Sequence, residues 1–218
     1  MSCTLSEFES KQFLSEAGIP VPPEQLVATS ADAVRAAQTL GYPVALKLCG
    51  RGISHKTERQ LVRLGLSEDD DVRRQAEDLL DRREPGESEA RLLVSTMIQG
   101  QRELIAGLIR DPQFGPCVMF GLGGVFAEAL GDVAFAVAPL EPLDADDLID
   151  AISCTKVLGS FRGEPAADRA QLGQILQTIG RIGLDRPEVL SIDVNPLILA
   201  GSHPVVADAL VELDGSPR

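Results

Sequence analysis

The apolar residues of this chain switch between two periods, and the switches mark out its elements. Ala33, Val34, Ala37 and Leu40 recur at helical spacing between Ser30, a candidate N-cap, and Gly41, a terminator. Val72, Ala76, Leu79 and Leu80 repeat that spacing within 68–83, behind the acids Glu68 to Asp71, which suit the positive end of a helix. Ser6 and Glu9 have capping-box spacing and predict a helix that Gly18 ends. Apolar runs of strand length lie between, at Leu26–Ala28, Val44–Leu48, Leu61–Leu66 and Arg91–Met97. Beyond the turn at Gln99-Gly100-Gln101 the pattern is richer in strand, with Glu103–Ile109, Pro116–Phe120 and Val133–Ala138. Helices are predicted over 145–154 and 168–183. The second carries Leu172, Ile175, Leu176, Ile179 and Ile182 on one side. A strand at Val189–Val194, the pair Asn195-Pro196 and a last strand at Val205–Leu213 close the chain. The stiff connector Ile19-Pro20-Val21-Pro22-Pro23 marks a lobe boundary. This order predicts an α/β chain of two α+β lobes with a cleft between them.

Composition narrows the function classes. The 218 residues are 44% hydrophobic with no Trp and one Tyr, so the core is expected to be aliphatic. A formal charge of −13 argues against general nucleic-acid binding, and any nucleotide must be gripped by a local basic pocket. Cys3, Cys49, Cys117 and Cys154 show no CxxC spacing and read as reduced structural thiols. The sequence shows no signal peptide and no apolar span of about 20 residues, so the expectation is a cytoplasmic chain with no membrane association.

The densest candidate chemistry is Pro43 to Glu58. Lys47 interrupts the apolar run Val44–Leu48, and strand alternation puts it on the face opposite Leu46 and Leu48. Gly50-Arg51-Gly52 and Ser54-His55-Lys56 follow directly. A strand lysine, a glycine turn and neighbouring cations suit a polyphosphate; a surface turn with incidental charge is the other reading. His55 could accept a phosphoryl group or be a solvated loop histidine, whereas His203 reads as a surface hairpin residue. Asp193 and Asn195 share a strand face, and Asp208 lies on the following strand. The oxygens of Asn195 and Asp208 could together hold Mg²⁺, or Asn195 could belong to a turn and Asp208 be a strand-end acid. Glu103 opens a strand after a glycine turn, facing either a ribose, a metal or solvent. Gly121-Leu122-Gly123-Gly124 could admit an anion to backbone amides, but lacks P-loop or dinucleotide spacing.

Taken in order, the segments VALKLCGRGISHKTE, GQRELIAGLIRDPQFGPCVMFGLGGVFAEAL, DVAFAVAPL, GSFRGEP and DVNPLIL resemble the ATP-grasp (β) subunit or domain of ADP-forming acyl-CoA synthetases. The chain is more distantly similar to the β subunit of succinyl-CoA synthetase. The resemblance covers nearly the whole chain and implies an ATP-grasp fold. Residues 1–22 and 100–218 would form the larger lobe and 23–99 the smaller, with ATP or ADP and Mg²⁺ between them. It implies that Lys47 contacts the nucleotide phosphates and that Arg51 and Gly52 belong to the phosphate-side loop. Met97 and Ile98 would flank the adenine, and Glu103 would reach the ribose or metal side. Asn195 and Asp208 would hold Mg²⁺, and His55, in the HK[ST][DE] motif, would relay phosphate. Gly123, Gly124 and Glu128 would lie near the docking point of the partner's phosphohistidine loop. The partner implied is a CoA-binding and ligase α subunit or its fused equivalent, in a hetero-oligomer.

Two positions depart from the family pattern. Gln60 and Leu61 stand where two glycines are usual after the HK[ST][DE] motif, and Ser191 stands where a glutamate usually precedes the DxNP aspartate. They keep two alternatives open: an inactive nucleotide-binding regulatory paralogue, and a carboxylate–amine ligase working through an acyl phosphate.

Overall fold

The computed structural model describes residues 2–53, 56–124, 131–160 and 163–215. The chain forms two compact units. One comprises 5–9 and 22–97; the other comprises 1–4, 10–21 and 98–218. Each has its own antiparallel sheet.

In the smaller unit the sheet order is β2-β5-β3-β4, from β2 (Glu24–Val27), β3 (Val44–Cys49), β4 (Val62–Leu66) and β5 (Arg91–Thr96). Helices α2 (Ser30–Leu40) and α3 (Asp69–Asp81) pack on it through the apolar stripes that the sequence predicts. Val44, Leu46 and Leu48 of β3 and Leu92 and Val94 of β5 meet Ala33, Ala37, Val72, Ala76 and Leu79 in one aliphatic core. Each fully buried leucine or valine contributes about 1.5–3 kcal/mol. The cap of α2 is Thr29 rather than Ser30: the Thr29 hydroxyl accepts from the Asp32 amide at 3.1 Å. Gly41 ends α2 at φ +86, its N–H donating to the Ala37 carbonyl. The Ser6–Glu9 capping box forms as predicted and starts α1 (Glu7–Glu16).

The larger unit holds a seven-stranded sheet. Its strands are β1 (Ser2–Thr4), β6 (Glu103–Asp111), β7 (Gly115–Leu122), β8 (Val133–Val137), β9 (Val189–Ala200), β10 (His203–Val206) and β11 (Ala209–Asp214). The order is β1-β11-β9-β6-β7-β8, with β10 also paired to β9. Helices α4 (Pro142–Asp150) and α5 (Arg169–Asp185) lie against β6, β7 and β8. α4 begins three residues before the predicted start, because Glu141 and Asp144 close a capping box with Pro142 in the first turn. The single strand predicted at 205–213 is two strands. β10 and β11 both pair with β9, and residues 207–208 bridge them opposite Asn195-Pro196. All four cysteines are free, and among the described residues no helix is long and apolar enough to cross a membrane.

Candidate functional site

Lys47 lies in the middle of the smaller sheet, opposite Leu93 on β5 and Val62 on β4. It is only 7% exposed, and an ammonium in that position needs a counterion. Glu7, itself 4% exposed, supplies it: Lys47 Nζ donates to Glu7 Oε1 at 2.6 Å. Lys56 Nζ donates to the other carboxylate oxygen. Two residues on, Glu9 closes the cap with Ser6 and receives Arg51, whose Nη2 lies 2.6 Å from Oε1. The guanidinium pulls the Glu9 carboxyl down to about 2. Arg51 stands between Gly50 and Gly52, the latter at φ +81. Three cations, Lys47, Arg51 and Lys56, are thus gathered by two acids of one helical turn. His55 lies outside the described residues; beside it Ile53 is buried and Lys56 is held by Glu7. Burial pushes the neighbouring Cys49 thiol up, so it is a poor nucleophile.

A second cluster forms in the larger unit. Along β9 the exposed Asp193 and Asn195 alternate with buried Ile192 and Val194, so both polar residues share one face. β9 pairs with β11 as far as Val194 and with β10 from Leu197, leaving a corner at Asn195-Pro196. There Asn195 N–H donates to the Asp208 carbonyl at 3.1 Å, and Ala207 N–H to the Pro196 carbonyl at 3.0 Å. The β6–β9 register shifts at the same corner, between Leu104 and Ala106. Loss of hydration, then the charge of Asp208, raises the Asp193 carboxyl above its usual range. Among the described residues no group of three His, Cys, Asp or Glu side chains is arranged to hold a metal. The side chains at this corner, Asp193, Asp208 and Asn195, offer a donor chemistry of two carboxylates and an amide. It fits a hard cation that keeps waters and phosphate oxygens in its shell, as Mg²⁺ does.

Glu103 opens β6, paired with Ile198. Gly123 N–H donates to the Glu103 carbonyl at 2.8 Å, and a Cβ at Gly123 would sit 2.9 Å from that carbonyl carbon. Gly124, at φ +72, lies against the Glu103 carboxylate. These glycines let β7 leave the sheet close beside Glu103; Glu128 lies outside the described residues. Met97 ends the smaller unit, its N–H on the Pro43 carbonyl at 3.1 Å, and Ile98 begins the larger.

Three residues of these clusters have no role in the sequence reading. Glu9 enters there only through its capping-box spacing and Glu7 is not named, although a lysine inside an apolar strand is a signal that some acid must reach it. Arg102, 6% exposed, has no such signal. Its guanidinium donates to the carbonyls of Val157, Gly159, Pro165 and Gly201 at 2.7–3.2 Å. It thereby fixes both flanks of the GSFRGEP segment, whose Phe161 and Arg162 lie outside the described residues.

Both departures have a structural counterpart. Gln60 keeps a left-handed backbone, φ +54, at a position where glycine is usual. Ser191 Oγ donates to Glu212 Oε2 at 3.4 Å, so a carboxylate is retained on the paired strand.

A family model for an ATP-grasp domain matches residues 2–213. The chain is 36% identical, over 94% of its length and 90% of the relative's, to the β subunit of acetate–CoA ligase (ADP-forming) I of Pyrococcus furiosus. An acetyl-coenzyme A synthetase of Ca. Korarchaeum cryptofilum, solved with coenzyme A, Ca-AMPCP and HgCl⁺, superposes with a TM-score of 0.92 at 37% identity, covering 97% of this chain and 94% of that one. The same enzyme with coenzyme A and Mg-AMPPCP, its phosphohistidine segment pointing towards the nucleotide-binding site, gives 0.83 at 38% identity, covering 95% and 92%. The expected ATP-grasp fold is therefore the one adopted, and the chain belongs to the ATP-grasp family of ADP-forming acetate–CoA ligase β subunits.

Proposed function

We propose that this chain is the nucleotide-binding subunit of an ADP-forming acyl-CoA synthetase, in the reaction acyl-CoA + ADP + phosphate ⇌ acid + CoA + ATP. The observation that carries the reading is the gathering of Lys47, Arg51 and Lys56 by Glu7 and Glu9. Lys47, with Arg51 and Gly52, binds nucleotide phosphates, which replace a carboxylate as partner of the same ammonium. Met97 and Ile98 border the adenine, and Glu103 faces the ribose or the metal. Asn195 and Asp208, with Asp193 beside them, hold Mg²⁺, which neutralises phosphate charge when bound. Support comes from the relative whose structure contains Mg-AMPPCP.

His55 receives the phosphoryl group at an imidazole nitrogen and returns it, with Lys56 and Arg51 stabilising the phosphorylated ring. Gly123, Gly124 and Glu128 lie where the partner's phosphohistidine loop docks. The partner is a CoA-binding and ligase α subunit, or that unit fused elsewhere, and it sets acyl specificity; the name of the Pyrococcus relative, a β subunit, supports a separate chain. The complex is a cytoplasmic hetero-oligomer.

The retained carboxylate of Glu212 and the glycine-like backbone of Gln60 favour an active subunit over a regulatory paralogue. The test is a complex reconstituted with its CoA-binding partner and [γ-³²P]ATP. Acid-labile label on His55 and loss of turnover in His55→Ala, with Mg-ATP binding intact, are expected. Wild-type turnover in His55→Ala overturns the relay, and turnover with an amine but without CoA would favour the carboxylate–amine ligase instead.

A further inference from the structure

Burial explains why Lys47 has a counterion. It does not explain why that counterion is shared. Glu7 is 4% exposed, and its two carboxylate oxygens go to different elements. Lys47 Nζ, from the middle of β3, donates to Oε1 at 2.6 Å, and Lys56 Nζ, from the loop after β3, donates to Oε2. A loop lysine is ordinarily solvated, yet the Lys56 side chain is only 15% exposed. Bringing a second ammonium to one carboxylate sets two like charges beside each other, a repulsion that the stability of Lys47 alone does not require.

Both ends of the arrangement are fixed. Glu7 opens α1 inside the Ser6–Glu9 capping box, where Ser6 N–H and Oγ each donate to Glu9 Oε2 at 2.8 Å. Lys56 heads a closed turn: its carbonyl accepts the Leu61 N–H at 2.7 Å, and Gln60 N–H donates to the Thr57 carbonyl at 3.0 Å. Arg59 pins that turn to Glu87, with Nη1 and Nη2 2.7 and 2.9 Å from the two carboxylate oxygens. Ahead of the turn, Arg51 is held by Glu9. The Glu7 carboxylate is therefore the joint between the strand lysine and a braced turn.

An anion that takes Lys47 changes how this carboxylate is divided. Phosphate oxygens beside Lys47 repel Glu7 and leave its charge to Lys56. We propose that Glu7 is a positioning residue for the proposed reaction: nucleotide phosphate at Lys47 gives Glu7 over to Lys56, and the strengthened pair sets the 51–59 loop for phosphoryl transfer. The inference rests on the nucleotide-binding reading and adds to it a residue that acts through two lysines rather than on the substrate.

The test is steady-state kinetics of the complex reconstituted with its CoA-binding partner, beside Mg-ATP calorimetry. Glu7→Gln keeps an acceptor oxygen but removes the charge that repels phosphate. It should bind Mg-ATP about threefold or more tightly and lower KM, yet cut kcat about tenfold, because Lys56 is no longer drawn in. A simple counterion role predicts instead that binding and turnover fall together. Glu7→Asp keeps the charge, so Lys47 stays neutralised, but it is one methylene too short to reach both ammoniums. Its KM should stay near wild type while kcat falls about tenfold. Circular dichroism and urea unfolding verify the fold of both variants. The coupling is read directly by acetylation of Lys56 with acetic anhydride. Saturating Mg-ADP should slow it about threefold or more in the wild type and leave it unchanged in Glu7→Asp. Wild-type kcat in Glu7→Asp, or binding and turnover lost in parallel in Glu7→Gln, overturns the proposal and leaves the nucleotide-binding reading intact. A wild-type chain that does not bind Mg-ATP overturns that reading, and this proposal with it.

Discussion

The two clusters solve opposite electrostatic problems. In the smaller unit, Lys47 is built into the centre of a sheet with Glu7 beside it, and Lys56 and Arg51 are each held by an acid. In the larger unit, loss of hydration and then the charge of Asp208 hold the Asp193 carboxyl above its usual range. A buried cation without a partner is too costly to fold, so its carboxylate must already be there when no ligand is bound. Asp193 lies within β9 with its side chain partly in water, so burial raises its carboxyl but a like charge nearby is tolerable. Under the proposed function, phosphate at the first cluster would exchange one anion for another, and a divalent cation at the second would relieve a repulsion. The lesson is that burial decides which cluster comes neutralised.

The largest effect should come from breaking the first half of that contrast. Glu7→Ala removes the carboxylate that Lys47 and Lys56 share and should destabilise the chain by about 3–5 kcal/mol in urea unfolding. Lys47→Met, which removes the charge instead, should cost far less in stability. Lys47→Ala, where folded, should weaken Mg-ATP binding by about 1.5–3 kcal/mol by calorimetry, and unchanged affinity would contradict its assignment to phosphate. On the other side of the contrast, Asp208→Asn should leave stability nearly unchanged without metal but weaken Mg-ATP binding about tenfold or more, with metal-free nucleotide binding unaffected. Equal loss with and without Mg²⁺ would remove Asp208 from the metal.

Smaller effects sharpen the picture. Gln60→Gly relieves a left-handed backbone worth about 1–2 kcal/mol, but adds freedom to the unfolded chain, so a net gain below about 1 kcal/mol is expected. A loss would show that the bonds of Gln60 matter more than its φ. The smallest concerns Glu9. Its carboxyl is lowered to about 2 in the folded state, so the Arg51 pair stabilises fully above pH 4.5 and is lost as pH falls through about 2. Because both side chains are partly exposed, the contribution is below about 1 kcal/mol, and Glu9→Gln should flatten the acid limb of the stability curve.

Much of this protein was legible from its residues in order. The α2 and α3 stripes, the strand containing Lys47, the Ser6–Glu9 cap and the outline of the larger sheet follow from local periodicity and capping chemistry, which act over a few residues. Where local rules compete, boundaries moved by a residue or a turn: Thr29 outbids Ser30 as a cap because its hydroxyl reaches the Asp32 amide, and the corner at 207–208 divides one predicted strand because β9 must be shared by two partners. What only the tertiary structure decided is which distant residues share a charge. Glu7 is 40 residues from Lys47, and Arg102 is 55 to 99 residues from the carbonyls it binds. No local pattern encodes those meetings. They follow from sheet order and register, which are set by the burial of whole faces, and the sequence alone can say only that a lysine placed in the middle of a sheet requires an acid from somewhere.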